Sequence, residues 1–330
     1  MKKKLLSLVF LVLIAALMPI ILSDFGVNLV TEIFIMAIFA MSLGMIIGYA
    51  GLVSLGHAAF FGLGAYCVAL LGDVLPNTYL LILVTVVLSA IVAWLTGAIF
   101  IRTSSFSFLM ITLAFGQLLY ALAWKMDHWT GGADGKKVSA ALDFGFGEVL
   151  SPLGLYFVMA VAFILVYILL RFFVDSPAGK MIKGVMENES RMKALGNNVR
   201  FYKLLAYTVS GTIAGFAGSL YAYFNLFVSP DLTSWMLSGQ VLLMVIIGGV
   251  GTLFGPVIGA GMFIVLQNFI STYTERWSLI MGILLVVLVL FGRGGMIHWF
   301  GLFGNKIFKK RRKSVNRTQS PNLEQEEVLT

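Results

Sequence analysis

The chain has 330 residues, 59% hydrophobic and only 12% charged, about half the charge of a soluble globular domain, and its mean hydropathy is +0.96. So much apolar side chain needs lipid as its solvent, which excludes a cytosolic enzyme, a secreted disulfide scaffold and a disordered protein; the period-two strands of an outer-membrane barrel are missing as well. The net charge of +8 gathers at the two ends and in one central loop, a pattern of cytoplasmic segments rather than of nucleic-acid binding.

An all-α polytopic membrane protein of about ten spans is expected, with Gly-rich broken segments. Residues 5–22 form the first span, starting inside behind Lys2, Lys3 and Lys4; no A-x-A-like cleavage site follows, which separates it from a signal peptide. Residues 28–47 return inward. Residues 51–71 go out through a Gly-rich stretch, and Asp73, Pro76 and Asn77 turn outside. Residues 79–101 return and stop at Arg102, and 106–124 go out again. An outside polar loop, 125–152, holds WTGGADGKK. Residues 153–170 come in and end at Arg171. A basic loop, 171–203, stays inside. Residues 204–227 go out, 238–250 come in, 254–270 go out and 277–292 come in to Arg293.

Both termini are then cytoplasmic. Of the 23 Lys and Arg, 19 lie in inside segments, and only Lys125, Lys136, Lys137 and Arg276 lie outside. The asymmetry supports this orientation. Residues 1–304 make the transmembrane domain, and 305–330 a basic, then acidic tail that reads as disordered.

No Walker A sequence and no HExxH occurs. His57, His128 and His298 are scattered, and Cys67 stands alone in an apolar run, as a packed, inert thiol does. Glu32 is the exceptional carboxylate within a span; with no relay partner, structural pairing is expected for it over proton transfer. Energy and chemistry are therefore expected from other chains.

Two glycine strings remain. One runs through Gly48, Gly51, Gly56, Gly62 and Gly64, the other through Gly248, Gly249, Gly251, Gly255, Gly259 and Gly261. Glycine permits close backbone approach and helix breaks, and Gly-interrupted segments in two parts of a chain point to a transport pathway. Packing accounts for most of these glycines. Gly51, Ser54, Gly56 and His57 are the candidates for the pathway, with backbone groups at the break available to a charged solute. For His57, hydrogen-bonded packing and contact with the permeant weigh equally. Gly211 and Gly215, with Ala214 and Gly218, form a small-residue face expected to pack another helix.

The loop SPAGKMIKGVMENESRMKALGNNVRFYK is expected to hold one short amphipathic helix, capped by Ser176 with Pro177 at its first position and stopped at Gly196. Glu187–Arg191 and Glu189–Lys193 are i,i+4 pairs in the favourable order. Such a helix either lies on lipid or docks a soluble partner.

The stretches GYAGLVSLGHAAFFGLGAY (48–66), MITLAFGQLLYALAWK (110–125), TGGADG (130–135), ENESRMKALGNNVRFYKLLAY (187–207) and VSPDLTSWMLSGQVLLMVIIGGVGTLFGPVIGA (228–260) resemble the M-type permease subunit of bacterial branched-chain amino acid ABC importers. The resemblance implies a bacterial cytoplasmic membrane and a complex: a homologous second permease, two cytoplasmic ATPase subunits and an extracytoplasmic substrate-binding protein. ATP would be held by the ATPase subunits, with no cofactor on this chain. It also implies that Glu187, Asn188, Glu189, Arg191, Ala194, Leu195 and Gly196 form the ATPase-coupling loop. Ser190, Arg191 and Met192 depart there from the wider EAA pattern. A urea- or amide-type permease of the same superfamily, or an autonomous channel, are the alternatives.

Overall fold

The computed structural model describes residues 18, 19, 22–75, 77–143, 147, 149 and 151–291. Most of the expected first span (5–22), with Pro76, Arg293, His298 and the tail 305–330, lies outside the described residues. The described chain folds into α1 (Asp24–Ala50), α2 (Ala58–Leu71), α3 (Thr78–Phe100), α4 (Ser105–Lys125), a single turn α5 (Asp127–Thr130), α6 (Pro152–Asp175), α7 (Pro177–Glu187), α8 (Glu189–Ala194), α9 (Val199–Asn225), α10 (Trp235–Gly248), α11 (Gly255–Tyr273) and α12 (Trp277–Phe291). Five of them, α1, α3, α4, α6 and α11, are long and apolar enough to cross a bilayer, so the chain is a multi-pass membrane protein.

Three expected spans take a different form. The segment 51–71 is not one helix: residues 51–57 are non-helical and α2 has only 14 residues. The span expected at 238–250 is α10, which starts earlier because the Ser234 hydroxyl accepts from the Leu237 N–H at 3.3 Å. The span expected at 204–227 corresponds to α9, 27 residues long, which starts five residues earlier and ends at Asn225. Asn198 sets its start, its Oδ1 accepting from the Phe201 N–H at 3.2 Å. Sequence hydropathy marks where a helix meets lipid, whereas caps mark where it ends.

Helix α9 is the hub, packed against α1, α2 and α3. Its small face is a helix contact, as expected. A Cβ at Gly211 would lie 2.8 Å from the Cβ of Ala93 on α3, one at Gly215 would collide with the Ser89 hydroxyl, and one at Gly218 with the Phe61 carbonyl on α2. On α2, Gly64 meets the Gly215 carbonyl in return. Such close approach gives backbones extensive dispersion contact where lipid supplies no hydrophobic drive between helices. Tyr207 of α9 then meets Phe60, Phe100 and Phe108 edge-on, at centroid distances of 5.6, 6.3 and 5.7 Å.

At one end of the bundle the TGGADG stretch is tightly built. The Thr130 hydroxyl donates to the Ala123 carbonyl at 2.6 Å and accepts from the Gly132 N–H at 3.3 Å. Gly131, Gly132 and Gly135 adopt φ of 78°, 52° and 67°, a region costly for other residues. The chain then pairs Lys136 with Val228 and Lys137 with Phe227 in a two-stranded antiparallel ribbon that ties this loop to the end of α9. Two-residue strands carry no readable periodicity, so the ribbon was not expected.

Glu32 is half-buried on α1 and makes no ion pair or hydrogen bond among the described residues. The expected structural pairing is absent there.

Candidate functional site at a broken helix

The first glycine string builds a break inside the bundle. Gly51 ends α1 with φ 68°, and both its N–H and that of Leu52 turn back to the Ile46 carbonyl. Residues 52–57 then run into the interior. Gly56 crosses α4 so closely that a Cβ there would collide with the Thr112 carbonyl. Helix α2 therefore begins within the packed bundle, where its first N–H groups need protein partners.

One of those partners is a side chain of another helix, two are carbonyls of the break itself, and the His57 side chain adds ties to two further helices. The Ala58 N–H donates to the Ser238 hydroxyl of α10 at 2.9 Å. The N–H groups of Ala59 and Phe60 reach the Gly56 and His57 carbonyls at 3.1 and 3.2 Å. His57, fully buried, places Nε2 at 3.0 Å from Ser42 Oγ on α1 and 3.1 Å from Ser210 Oγ on α9. The Ser42 hydroxyl donates to the Phe39 carbonyl at 2.7 Å and the Ser210 hydroxyl to the Ser42 carbonyl at 2.6 Å. With both hydroxyl protons committed, Nε2 must carry the ring proton and be shared between two oxygens. The ring also stacks on Phe39 at 5.9 Å with an 8° interplanar angle.

Two buried polar atoms of this segment are left without a partner: Ser54 Oγ and His57 Nδ1. The backbone donors of residues 58–60 are taken in this conformation, so the side chains of Ser54 and His57, rather than the helix N-terminus, hold the spare polar capacity. Gly51 lies at the other end of the break from His57 and faces the Met186 side chain of α7, where a Cβ would approach Cγ to 3.1 Å.

The second glycine string lies beside the same end of α1. Between α10 and α11, Gly249 and Gly251 adopt φ of 105° and 90°. A Cβ at Gly48 would lie 2.7 Å from the Gly251 nitrogen, and one at Gly44 would lie 2.6 Å from Pro256 Cγ. The two strings thus converge on one helix end.

Beneath it sits the loop 171–203. The Ser176 hydroxyl accepts from the Gly179 N–H at 3.2 Å, with Pro177 following, as the sequence predicts. One expected helix is in fact two. Asn188 is extended, at φ −159°, and its Oδ1 caps α8 by accepting from the Arg191 N–H at 2.8 Å. Glu187 and Arg191 straddle this break, and their expected ion pair is not formed. Glu189–Lys193 does form, at 2.9 Å, and Lys203 of α9 adds a second contact to Glu189 at 2.8 Å. Gly196, at φ 80°, ends α8 in a Schellman turn: its N–H reaches the Lys193 carbonyl and that of Asn197 the Met192 carbonyl. Ala194 is the last helical residue and Leu195 the cap. Helix α7 packs against α1, α6 and α9, burying Ile182 and Val185, while Met186 and Leu195 remain exposed.

Lys203 lies 14 residues from Glu189, beyond any helical spacing, so sequence periodicity could not pair them. Ser42, Ser210 and Ser238, hydroxyls inside apolar helices, were equally unmarked. Their only signal is that a buried hydroxyl seeks a partner.

Hydrogen bonds from Lys203 first, then Lys193, hold the Glu189 carboxyl below its ordinary value of 4.5. The tie is thus fully present above that value and is lost as pH falls through the lowered one. Glu189 is 42% exposed, so Glu189→Gln is expected to cost on the order of 0.5 kcal/mol at neutral pH. Melting experiments should show the gap from wild type closing as pH falls from neutral through the ordinary carboxylate range and below. A gap constant across that range would contradict the assignment.

Residues 25–290 match the family described as the branched-chain amino acid transport system permease component. The chain is 28% identical over 319 residues to the "High-affinity branched-chain amino acid transport system permease protein LivM" of Escherichia coli K12, covering 89% of this chain and 75% of the relative. The protein of the same name from Salmonella typhimurium gives the same figures. The "Probable branched-chain amino acid transport permease protein LivM" of Methanocaldococcus jannaschii is 24% identical over 286 residues, 74% of this chain and 81% of that one. No solved structure matches.

Proposed function

The chain belongs to the family of permease components of branched-chain amino acid transport systems, and from that premise we propose that it is the membrane-spanning permease subunit of an ABC-type importer of branched-chain amino acids. The extent of the family match, residues 25–290, carries this reading. In it the chain crosses the cytoplasmic membrane about ten times with both ends inside, as the charge asymmetry favours. A homologous second permease pairs with it, two cytoplasmic ATPase subunits bind below, and a substrate-binding protein delivers the amino acid from outside. ATP bound and hydrolysed on those ATPase subunits supplies the drive; this chain holds no cofactor.

Its own part is mechanical. Residues 186–196 offer the ATPase subunits a short surface of Met186, Glu187, Asn188, Arg191 and Leu195, stiffened by the Asn188 cap, the Gly196 turn and the Glu189–Lys203 tie. Helix α7 touches three spans, and Met186 bears on Gly51. Motion of the helix pair thereby reaches the end of α1, where both glycine breaks converge. Bundles with such breaks shift between packed arrangements by hinge or shear. Ser54 and His57 are the polar groups that a passing ammonium or carboxylate would meet in the break.

The test is a charge placed on the coupling surface. Leu195→Glu sits on an exposed position, 69% accessible, so folding should be unaffected. ATP-driven leucine uptake by the assembled complex is expected to fall at least about tenfold, since a buried unpaired carboxylate opposes docking. Normal uptake with Leu195→Glu would remove this surface from the coupling path.

A further inference from the structure

At the end of the bundle opposite α7 and α8, a cleft of about 670 Å³ opens between α2, α3 and α4. Its walls are apolar: Leu63 and Leu70 from α2, Leu88 from α3, Leu119 and Leu122 from α4. It is open sideways, because Leu88, Leu122 and Met126 on its edge are all exposed, and α3 and α4 are the peripheral helices of the bundle, with 28% and 22% of their apolar windows buried. A doubly charged amino acid would not rest in a slot facing hydrocarbon.

The rim is different in character. His128, Trp129 and Lys136 line the mouth, with Lys125 and Lys137 adjacent in sequence and Asp127 and Asp134 among them. Three of the four Lys and Arg on the predicted outside of the chain thus stand at this one place. Lys136 makes no ion pair among the described residues. A tryptophan and a lysine at the edge of an apolar slot are the groups that meet headgroups at a membrane interface. Tyr66, 7% exposed, adds to the wall of the slot.

We propose that this cleft is a binding site for one phospholipid of the outer leaflet, its acyl chain along Leu63, Leu88 and Leu119 and its phosphate on Lys136. The outer-leaflet placement rests on the orientation given above; the site itself does not depend on the transported substrate.

The experiment is photolabelling of the whole complex in vesicles of phosphatidylethanolamine and phosphatidylglycerol, with a phosphatidylglycerol bearing a diazirine in its acyl chain, and mapping of the adducts. Labelling should concentrate on residues 63–74 and 119–130. Lys136→Gln should weaken it about fivefold, and Ala123→Trp, which fills the slot, should abolish it. Leu83→Trp, on the exposed face of α3, should leave it unchanged. Adducts spread evenly over all lipid-facing helices and indifferent to Lys136→Gln would reduce the cleft to ordinary annular lipid and overturn the proposal. Cross-linking of a Leu119→Cys variant to the second permease would overturn it too, by making the cleft a protein interface.

Discussion

Gly218→Ala is expected to destabilise the protein by about 3 kcal/mol, at the upper end of what overpacking costs. The added methyl would collide with the Phe61 carbonyl, a backbone atom that no rotamer change can move. Helices α2 and α9 would have to separate, and with them the contacts of Gly64 and Gly215 along the same seam. The cost falls on two elements that hold the break in place, so a poorly assembled bundle should also transport poorly. Gly239→Ala supplies the comparison. Gly239 lies inside α10 with nothing within 4 Å of an added Cβ. There alanine should be neutral, or stabilising by up to about 1 kcal/mol through helix propensity. Thermal melting of the two purified variants checks the pair. Equal melting temperatures would mean that the α2–α9 seam is not close-packed.

Replacement of His57 has the second large effect. His57→Ala removes a shared N–H between α1 and α9 and a ring stacked on Phe39. Ser42 and Ser210 keep their bonds to backbone carbonyls, so the loss is one donor plus a cavity, about 3 kcal/mol in sum. His57→Gln should recover part of it, because its amide carries an N–H at a reach similar to Nε2. If His57 acts only in packing, uptake should track stability across the two variants. If Nδ1 also meets the solute, His57→Gln should depress the uptake rate beyond what its stability accounts for. A His57→Ala variant as stable as wild type would refute the three-helix junction itself. Gly56 is the wrong residue for such a question: its contact with the Thr112 carbonyl means that any side chain there breaks packing first.

Much of this arrangement was legible in the sequence because membrane helices announce themselves by apolar length. The long runs at 28–47, 79–101, 106–124 and 153–170 correspond to α1, α3, α4 and α6 within a few residues, and local capping chemistry placed Ser176 and Gly196 correctly. The Gly211–Gly218 face was readable as a helix contact because its small residues fall three and four apart, on one side of a helix. What stayed hidden depended on long-range partners or on a residue with two roles. Asn188 looks like one polar residue within an amphipathic pattern; its side chain instead caps a new helix, and a single helix becomes two. The GLVSLGH segment reads as part of an apolar span, yet its course is set by Thr112 of α4 and by serines 15 to 180 residues away. Those serines are polar positions in otherwise apolar helices, and nothing local says which of them meet.

These placements matter for function because the two halves of the candidate site are adjacent. The polar junction at His57 and the helix pair at Asn188 lie at opposite ends of one short non-helical segment, with Met186 against Gly51. A displacement at the surface therefore reaches the start of the break directly, through the Met186–Gly51 contact.

The measurement that tests this account most directly is uptake of labelled leucine into vesicles containing this chain, a homologous permease and two ATPase subunits, with the substrate-binding protein added and labelled urea as the control. The account predicts leucine uptake that needs ATP and vanishes when this chain is omitted or carries Leu195→Glu. Uptake of urea alone would move the chain to the amide-transporting branch. Leucine flux through this chain by itself, without ATP, would contradict the coupled importer and leave a channel.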